Sequence, residues 1–89
     1  MKVIWKYPFE VNSHISLQMP KGAKVLSVQV QKEQPCLWAL VNADNEKETR
    51  TFACYGTGHL HDEINGNFIG TFQLINGSFI GHLFEEVIK

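Results

Sequence analysis

The stretch CYGTGHLHDE, residues 54–63, concentrates groups that could do chemistry: two glycines, two histidines and two acids stand within ten positions. Its segment Gly56-Thr57-Gly58-His59 follows a predicted strand. Two glycines around a hydroxyl could form a backbone nest that binds a phosphate or a carboxylate. The segment lacks the lysine, the spacing and the following helix of a P-loop or a dinucleotide fingerprint. A bulged loop that uses glycine for positive φ is the plainer alternative.

The histidines of this stretch are candidate metal ligands. His59 and His61 are two residues apart and would point the same way on a strand, so they could join His82 in a three-histidine site. The segment is expected to be a loop, and no second cluster at zinc-finger spacing accompanies it. We therefore expect no metal and no cofactor, and we expect these side chains to be solvated.

His82 is placed by the predicted hairpin opposite Thr71. A neutral histidine hydrogen-bonded to its neighbour is the plain expectation, and a ligand contact or an acid–base role is the alternative. No GxSxG, HExxH or Asp-rich metal motif occurs, so we expect no catalytic residue. Arg50 is the only arginine and precedes the glycine-rich segment, which makes it either an anion contact or an exposed strand charge. The candidate ligand-binding residues are Arg50, Tyr55, Gly56, Thr57, Gly58, His59, Thr71 and His82.

These side chains must be positioned by strands, because apolar residues alternate along the chain and turn residues recur at short intervals. The expected fold is all-β: a small antiparallel sandwich or barrel-like domain of about six to seven short strands, forming a single domain over residues 1–89. The predicted strands are Lys2–Tyr7, His14–Gln18, Lys24–Gln31, Pro35–Asn42, Glu48–Tyr55, Phe68–Ile75 and Ser78–Glu86.

Two hairpins have a predicted register. Asn76-Gly77 between alternating runs indicates a type I′ turn, which pairs Thr71 with His82 and Ile69 with Phe84. A turn centred on Lys32-Glu33 pairs Ser27 with Trp38 and Val28 with Leu37. Alternation then assigns one face of each hairpin to the core. The predicted core positions are Leu26, Val28, Val30, Leu37, Ala39 and Val41 in one hairpin, and Phe68, Phe72, Leu74, Phe79 and Leu83 in the other.

The opposite face of each hairpin is also mostly apolar or uncharged. Sheets that are dry on both sides in so small a chain predict closure, a ligand or a homo-oligomer. The candidate interface residues are Trp38, Cys36, Ile80 and Phe84. Cys36 and Cys54 are the only cysteines and form no CxxC motif, so they are expected to be buried free thiols on strands.

The composition argues against two classes of partner, nucleic acids and membranes. The formal net charge is −1 and the eight Lys and Arg residues form no run, so we expect neither nucleic acid nor an anionic membrane as a partner. No apolar stretch approaches the ~18 residues of a membrane span. The opening residues MKVIWKYPFEVNSH do not resemble a signal peptide. We expect a soluble protein in the cytoplasm.

Several blocks of the chain resemble a family of small phage and prophage proteins that carry a domain of unknown function. The marks of that family are matched by MPKGA at Met19–Ala23, CLWALV at Cys36–Val41 and YGTGH at Tyr55–His59, and its closing histidine by His82. His61 departs from the family pattern. The resemblance implies a phage origin, a host-cell cytoplasmic location and a shared fold, but no reaction.

Three functions are compatible with these observations. The first is a non-enzymatic binding or interaction protein, which would act in counter-defence by holding a small anionic, nucleotide-like ligand or a host protein. The second is a small hydrolase, dependent on His59 and His82 or assisted by a metal, which requires the two side chains to be close together. The third is a structural or accessory phage protein that acts only through oligomer contacts.

Overall fold

The computed structural model describes residues 1–87, which form two antiparallel β-sheets. The first sheet has the strand order β1-β4-β3 and the second has the order β2-β5-β7-β6. The seven strands are β1 (Lys2–Pro8), β2 (Ile15–Pro20), β3 (Lys24–Gln31), β4 (Gln34–Asn42), β5 (Lys47–Gly56), β6 (Asn67–Leu74) and β7 (Phe79–Glu85), with a short 3₁₀ turn at Ile75–Gly77. The all-β prediction is confirmed as a sandwich, and the barrel alternative is wrong because neither sheet closes on itself.

Both predicted hairpin turns are present. Asn76 and Gly77 have φ of 52° and 87°, and the Ser78 N–H donates to the Ile75 carbonyl at 2.9 Å, as a type I′ turn requires. Ile75 itself has φ of 53° and Ser78 has φ of −70°, so the loop takes in four residues and the last ladder pair is Leu74 with Phe79. Lys32 and Glu33 likewise have φ of 51° and 64°. The strand ladders then place Thr71 opposite His82 and Ser27 opposite Trp38, which confirms both predicted registers near the turns.

Further from the turns, two β-bulges change which residues are buried. One lies between Phe68 and Gly70 and the other between Val25 and Ser27. An extra residue in one strand inverts the alternation beyond it. The predicted core residue Phe68 therefore faces outward at 59% exposure and pairs with Phe84 in place of Ile69. Leu26, also predicted to be core, is 44% exposed.

The core lies between the sheets and is built from the residues that alternate inward on both. Its largest fully buried side chains include Phe52, Met19, Leu37 and Leu83. A Cβ at Gly70 would lie 2.8 Å from Val28 Cγ1, so the absence of a side chain there lets β6 approach β3 closely. Cys36 and Cys54 are buried free thiols, as predicted.

Each sheet also has an outward face. We call the outward side of β1, β4 and β3 the lysine face, because Lys2, Lys6 and Lys24 lie on it around Ile4, Leu40 and Trp38. We call the outward side of β5, β7 and β6 the pocket face. Residues 1–87 include no helix with the length and apolar character that a bilayer crossing requires.

Candidate functional site

A cavity of about 340 Å³ lies on the pocket face, beside the segment that follows β5. We call it the aromatic pocket. Its walls come from β5, β6, β7 and the intervening segment, so both the glycine-rich stretch and the hairpin contribute to it. The lining residues are Tyr55, Gly56, Thr57, Gly58, His59, His61, Ile64, Phe68, His82 and Phe84.

Strand register brings the pocket side chains together. Tyr55 on β5 pairs with His82 on β7, which pairs with Thr71 on β6, so three residues distant in sequence form one row. Phe84 and Phe68 form a second row on the same face, because His82 and Phe84 are two residues apart on one strand. The bulge beside Phe68 is what turns that ring toward the pocket.

Four rings form a continuous edge-to-face series along the pocket. The centroids of His61 and Tyr55 are 4.7 Å apart at 78°, and those of Tyr55 and Phe84 are 5.5 Å apart at 77°. Phe84 and Phe68 follow at 5.4 Å and 62°. Such T-shaped pairs are the favoured geometry of aromatic side chains, because the positive edge of one ring meets the negative face of the next. The series makes an apolar wall of defined shape.

His82 is held by a hydroxyl at each ring nitrogen. Thr57 Oγ1 lies 2.7 Å from Nε2, and Thr71 Oγ1 lies 3.0 Å from Nδ1. A neutral imidazole has one donor and one acceptor nitrogen, and a hydroxyl can serve either, so both hydrogen bonds can be satisfied at once. The predicted hydrogen bond between Thr71 and His82 is confirmed. The second partner, Thr57, is supplied by the glycine-rich segment.

The glycine-rich segment uses its own backbone donors internally. The Thr57 N–H donates to the Ile80 carbonyl at 3.1 Å, and the His59 N–H donates to the Gly56 carbonyl at 3.2 Å. Gly58 has φ of +80°, which matches the alternative of a bulged loop. A Cβ at Gly56 would lie 2.6 Å from His59 Nδ1, so the imidazole packs directly on that glycine. The two bonded N–H groups are not free for an anion nest.

Arg50 lies away from the aromatic pocket. Its Nε and Nη2 donate to the Glu85 carboxylate at 2.5 and 3.0 Å, and Nη1 donates to the Ala23 carbonyl at 2.8 Å. These hydrogen bonds to Glu85 raise the pKa of the guanidinium above its usual value. Arg50 and Tyr55 are five residues apart on β5, and an odd separation places them on opposite faces. The structure therefore does not bring Arg50 together with the candidate ligand-binding residues that line the pocket.

The candidate interface residues divide between the two outward faces. Trp38 and Cys36 belong to the first sheet, whereas Ile80 and Phe84 lie on the pocket face. No single flat contact can use all four. Cys36 is only 1% exposed and its thiol lies 3.4 Å from the Gln34 carbonyl, so it has no surface to offer a partner.

The histidines that line the pocket do not form a metal centre. His59, His61 and His82 all contribute to its walls. Within residues 1–87, no group of three or more His, Cys, Asp or Glu side chains is arranged to hold a metal ion. On the inward side of β5, burial raises the pKa of the Cys54 thiol, and a backbone hydrogen bond from His82 opposes that shift.

The predicted ligand-binding set omits four of the ten lining residues, His61, Ile64, Phe68 and Phe84, and it omits Glu85, the partner of Arg50. Alternation predicts a core position for Phe68, because a bulge leaves no mark in the sequence of residue types. Ile64 lies in an irregular segment with no periodicity to interpret. Glu85 gave a usable signal: it is an acid on the inward side of a predicted strand, where a carboxylate needs a cationic partner.

Fold and site together define a class: a small two-sheet β-sandwich with an aromatic pocket on one outward face, lined by no lysine, arginine, aspartate or glutamate. The chain belongs to the family described as Domain of unknown function (DUF7352), whose model matches residues 1–89. Comparison with curated proteins and with solved structures gives no match. Membership of an uncharacterised domain family is thereby confirmed, while the phage origin stays a prediction.

Proposed function

We propose that this chain is a small, non-enzymatic binding protein and that the aromatic pocket is its site. The observation that carries the proposal is a concave surface lined by four rings and by polar groups that are already held in place. Binding sites for small molecules are typically clefts of roughly 300–1,000 Å³ with apolar walls and a few fixed polar groups. The pocket, at about 340 Å³, fits the lower end of that range.

Two exposed apolar side chains at the pocket favour the proposal that it binds a ligand. Phe68 is 59% exposed and Ile64 is 54% exposed, and both line the cavity. Burying apolar surface of this kind contributes roughly 25 cal/mol per Å². A ligand or a protein side chain that covered Phe68 and Ile64 would gain that energy.

The hydrolase alternative has one observation in its favour, since His59 and His82 line the same pocket. The state of His82 weighs against it. In nucleophile–base pairs the catalytic histidine is oriented by a further group, which is a carboxylate in the Ser-His-Asp triad, whereas the hydrogen bonds given for His82 are to hydroxyls alone. Both ring nitrogens of His82 lie within hydrogen-bond distance of threonine hydroxyls. This arrangement supports a positioning role for the imidazole and supports binding over catalysis.

The biological setting of the proposal comes from the resemblance to small phage and prophage proteins. In that setting the pocket would sequester a small nucleotide-like molecule, or an aromatic side chain of a host protein, as a counter-defence. Sequestration needs no chemistry, which agrees with a site built from rings and hydroxyls. The location would be the cytoplasm of the host cell.

An NMR titration of the full, isotope-labelled chain with a panel of nucleosides, nucleotides and aromatic amides tests the proposed function. We expect saturable shifts at the backbone amides of Gly56–His59 and of His82, and recovery of the added compound unchanged. A panel that leaves all of these amides unmoved would contradict the proposal. Conversion of a compound during the titration would instead favour the hydrolase.

A third role, as an accessory protein that acts through oligomer contacts, uses the same apolar walls. It is distinguished by the mass of the protein in solution. A dimer whose contact buries Phe68 and Phe84 would leave the pocket closed to small molecules. Titration and mass measurement therefore separate this role from ligand binding.

A further inference from the structure

We infer that the aromatic pocket recognises a planar, uncharged ring and gains no affinity from an attached phosphate or carboxylate. The inference rests on the proposed binding function and specifies the class of ligand. The shared chemistry is a heteroaromatic ring. Its source is either the base of a nucleoside or an aromatic side chain presented by a protein.

The pocket offers no permanently charged side chain to an anion. None of the ten lining residues is a lysine, an arginine, an aspartate or a glutamate. The chain's one arginine lies on the opposite face of β5, where the Glu85 carboxylate and the Ala23 carbonyl occupy its guanidinium. A phosphate in the pocket would therefore lose hydration without meeting a fixed cation, which is unfavourable.

The backbone of the glycine-rich segment does not form an anion nest. Anion nests work because successive N–H groups converge on the ligand. Here the donors of Thr57 and His59 are consumed by carbonyls of the chain itself. The segment that resembled an anion cradle in the sequence instead supplies a hydroxyl, Thr57 Oγ1, to the imidazole of His82.

The shape and polarity of the pocket walls suit a planar ring. The edge-to-face series from His61 to Phe68 offers ring faces and edges to an inserted ring, and stacking on aromatic side chains tolerates any ring that has a π face. Thr57 lines the pocket, is exposed and keeps spare lone pairs beside His82, so its hydroxyl can pair with the polar edge of a heteroaromatic ring. A volume of about 340 Å³ suits one ring system.

The experiment compares four probes with the full chain at pH 7.5, by calorimetry and by NMR: adenosine, AMP, N-acetyl-tryptophanamide and inorganic phosphate. We expect adenosine and AMP to bind within about threefold of each other, a difference well under 1 kcal/mol, and phosphate alone not to bind or compete. Binding of the tryptophan amide in preference to adenosine would assign the ring to a protein side chain. The reverse order would assign it to a nucleoside.

Variants locate the binding in the pocket. Phe84→Leu keeps apolar bulk but removes a ring, and we expect it to weaken binding of the ring probes at least about fivefold. Phe68→Leu tests the same point at a more exposed position, in case the first variant folds poorly. The matched control is Phe79→Leu on the inward side of β7, which should leave affinity unchanged once folding is verified.

The outcomes separate the inference from the function beneath it. AMP binding tenfold or more tighter than adenosine, or competition by phosphate, would overturn the inference and leave the binding function standing. Ring probes whose affinity is insensitive to both Phe84→Leu and Phe68→Leu would also overturn it. Failure of every probe to move the pocket resonances would overturn the inference and the proposed function together.

Discussion

The two outward faces of this sandwich are built from the same alternating pattern, yet they differ in charge and shape. The lysine face places three lysines around the apolar side chains of Ile4, Leu40 and Trp38. None of the outward residues on its strands carries a carboxylate, within the part of the chain that the structure describes. The pocket face instead carries rings, threonines and His82, with a cavity beside them.

This difference shows that the two outward faces of one sandwich, although both are largely apolar, need not have the same function. A symmetric contact between two copies through the lysine face would bring like charges together without acids to pair them, which is unfavourable. The pocket face has no such obstacle and has exposed apolar walls. We therefore expect a ligand, or a second copy of the chain, at the pocket face rather than at the lysine face.

The largest expected loss of folding free energy is at Gly66, in the segment between β5 and β6 that borders the pocket. Gly66 has φ of +101°, and a Cβ there would overlap the backbone carbonyl of Glu85. Gly66→Ala should therefore lower the free energy of unfolding by about 3 kcal/mol, from backbone strain plus steric overlap. Gly22→Ala is the matched control, because φ is +81° there but no atom lies within 4 Å. Urea unfolding that gave equal losses for both variants would contradict this anchoring.

A smaller loss of folding free energy is expected when Arg50 is replaced. It tests whether Arg50 stabilises the fold rather than binds a ligand in the pocket. Arg50→Gln removes the charge opposite Glu85, and breaking a buried ion pair costs about 3–5 kcal/mol. The two side chains are 18% and 21% exposed, which reduces the expected loss to about 2 kcal/mol. Binding of ring probes should be unchanged. Lys47→Gln, on the exposed end of the same strand, is the control; a large loss of ligand affinity in Arg50→Gln would return Arg50 to the site.

Thr71→Val tests whether hydroxyls hold His82 on the pocket face. The variant removes the 3.0 Å hydrogen bond to Nδ1 and should cost about 1 kcal/mol of stability. It should also broaden or shift the ring resonances of His82. Thr71→Ser retains the hydroxyl and should preserve both properties. A Thr71→Val variant that behaves like the parent protein, beside a Thr71→Ser variant that is destabilised, would show that the methyl group, and not the hydrogen bond, matters.

The smallest change in stability is expected for substitutions on the lysine face. Replacing Lys2, Lys6 and Lys24 together by glutamine should change the free energy of unfolding by no more than about 0.5 kcal/mol, because exposed charges contribute little. Ligand affinity at the pocket should also be unaffected. A marked loss of binding in this triple variant would mean that the two faces are not independent, and the comparison would fail.

Much of the fold could be predicted because its signals are local. Asn76-Gly77 and Lys32-Glu33 adopt the positive φ values that two-residue hairpin turns need, and each turn determines the pairing of the residues beside it. The register near both turns follows directly. The opposite orientations of Arg50 and Tyr55 can also be predicted, because the two residues are an odd number of positions apart on one strand. The candidate ligand-binding set nevertheless includes both.

The rest could not be predicted because it depends on contacts between distant segments. The bulges at Phe68 and Leu26 arise from how the strands fit their neighbours, and residue types alone do not mark them. The bond between Thr57 and His82 joins residues 25 apart, and it needs both the hairpin register and the path of the preceding loop.

By itself, then, the sequence determined the strands, the two turns and the apolar character of both outward faces, because alternation and turn chemistry act over a few residues. Only the tertiary structure decided that Phe68 turns outward, that Glu85 is the partner of Arg50, and that four rings line one pocket. Those outcomes depend on which strands become neighbours, and neighbours in a sheet are chosen by packing across the whole chain.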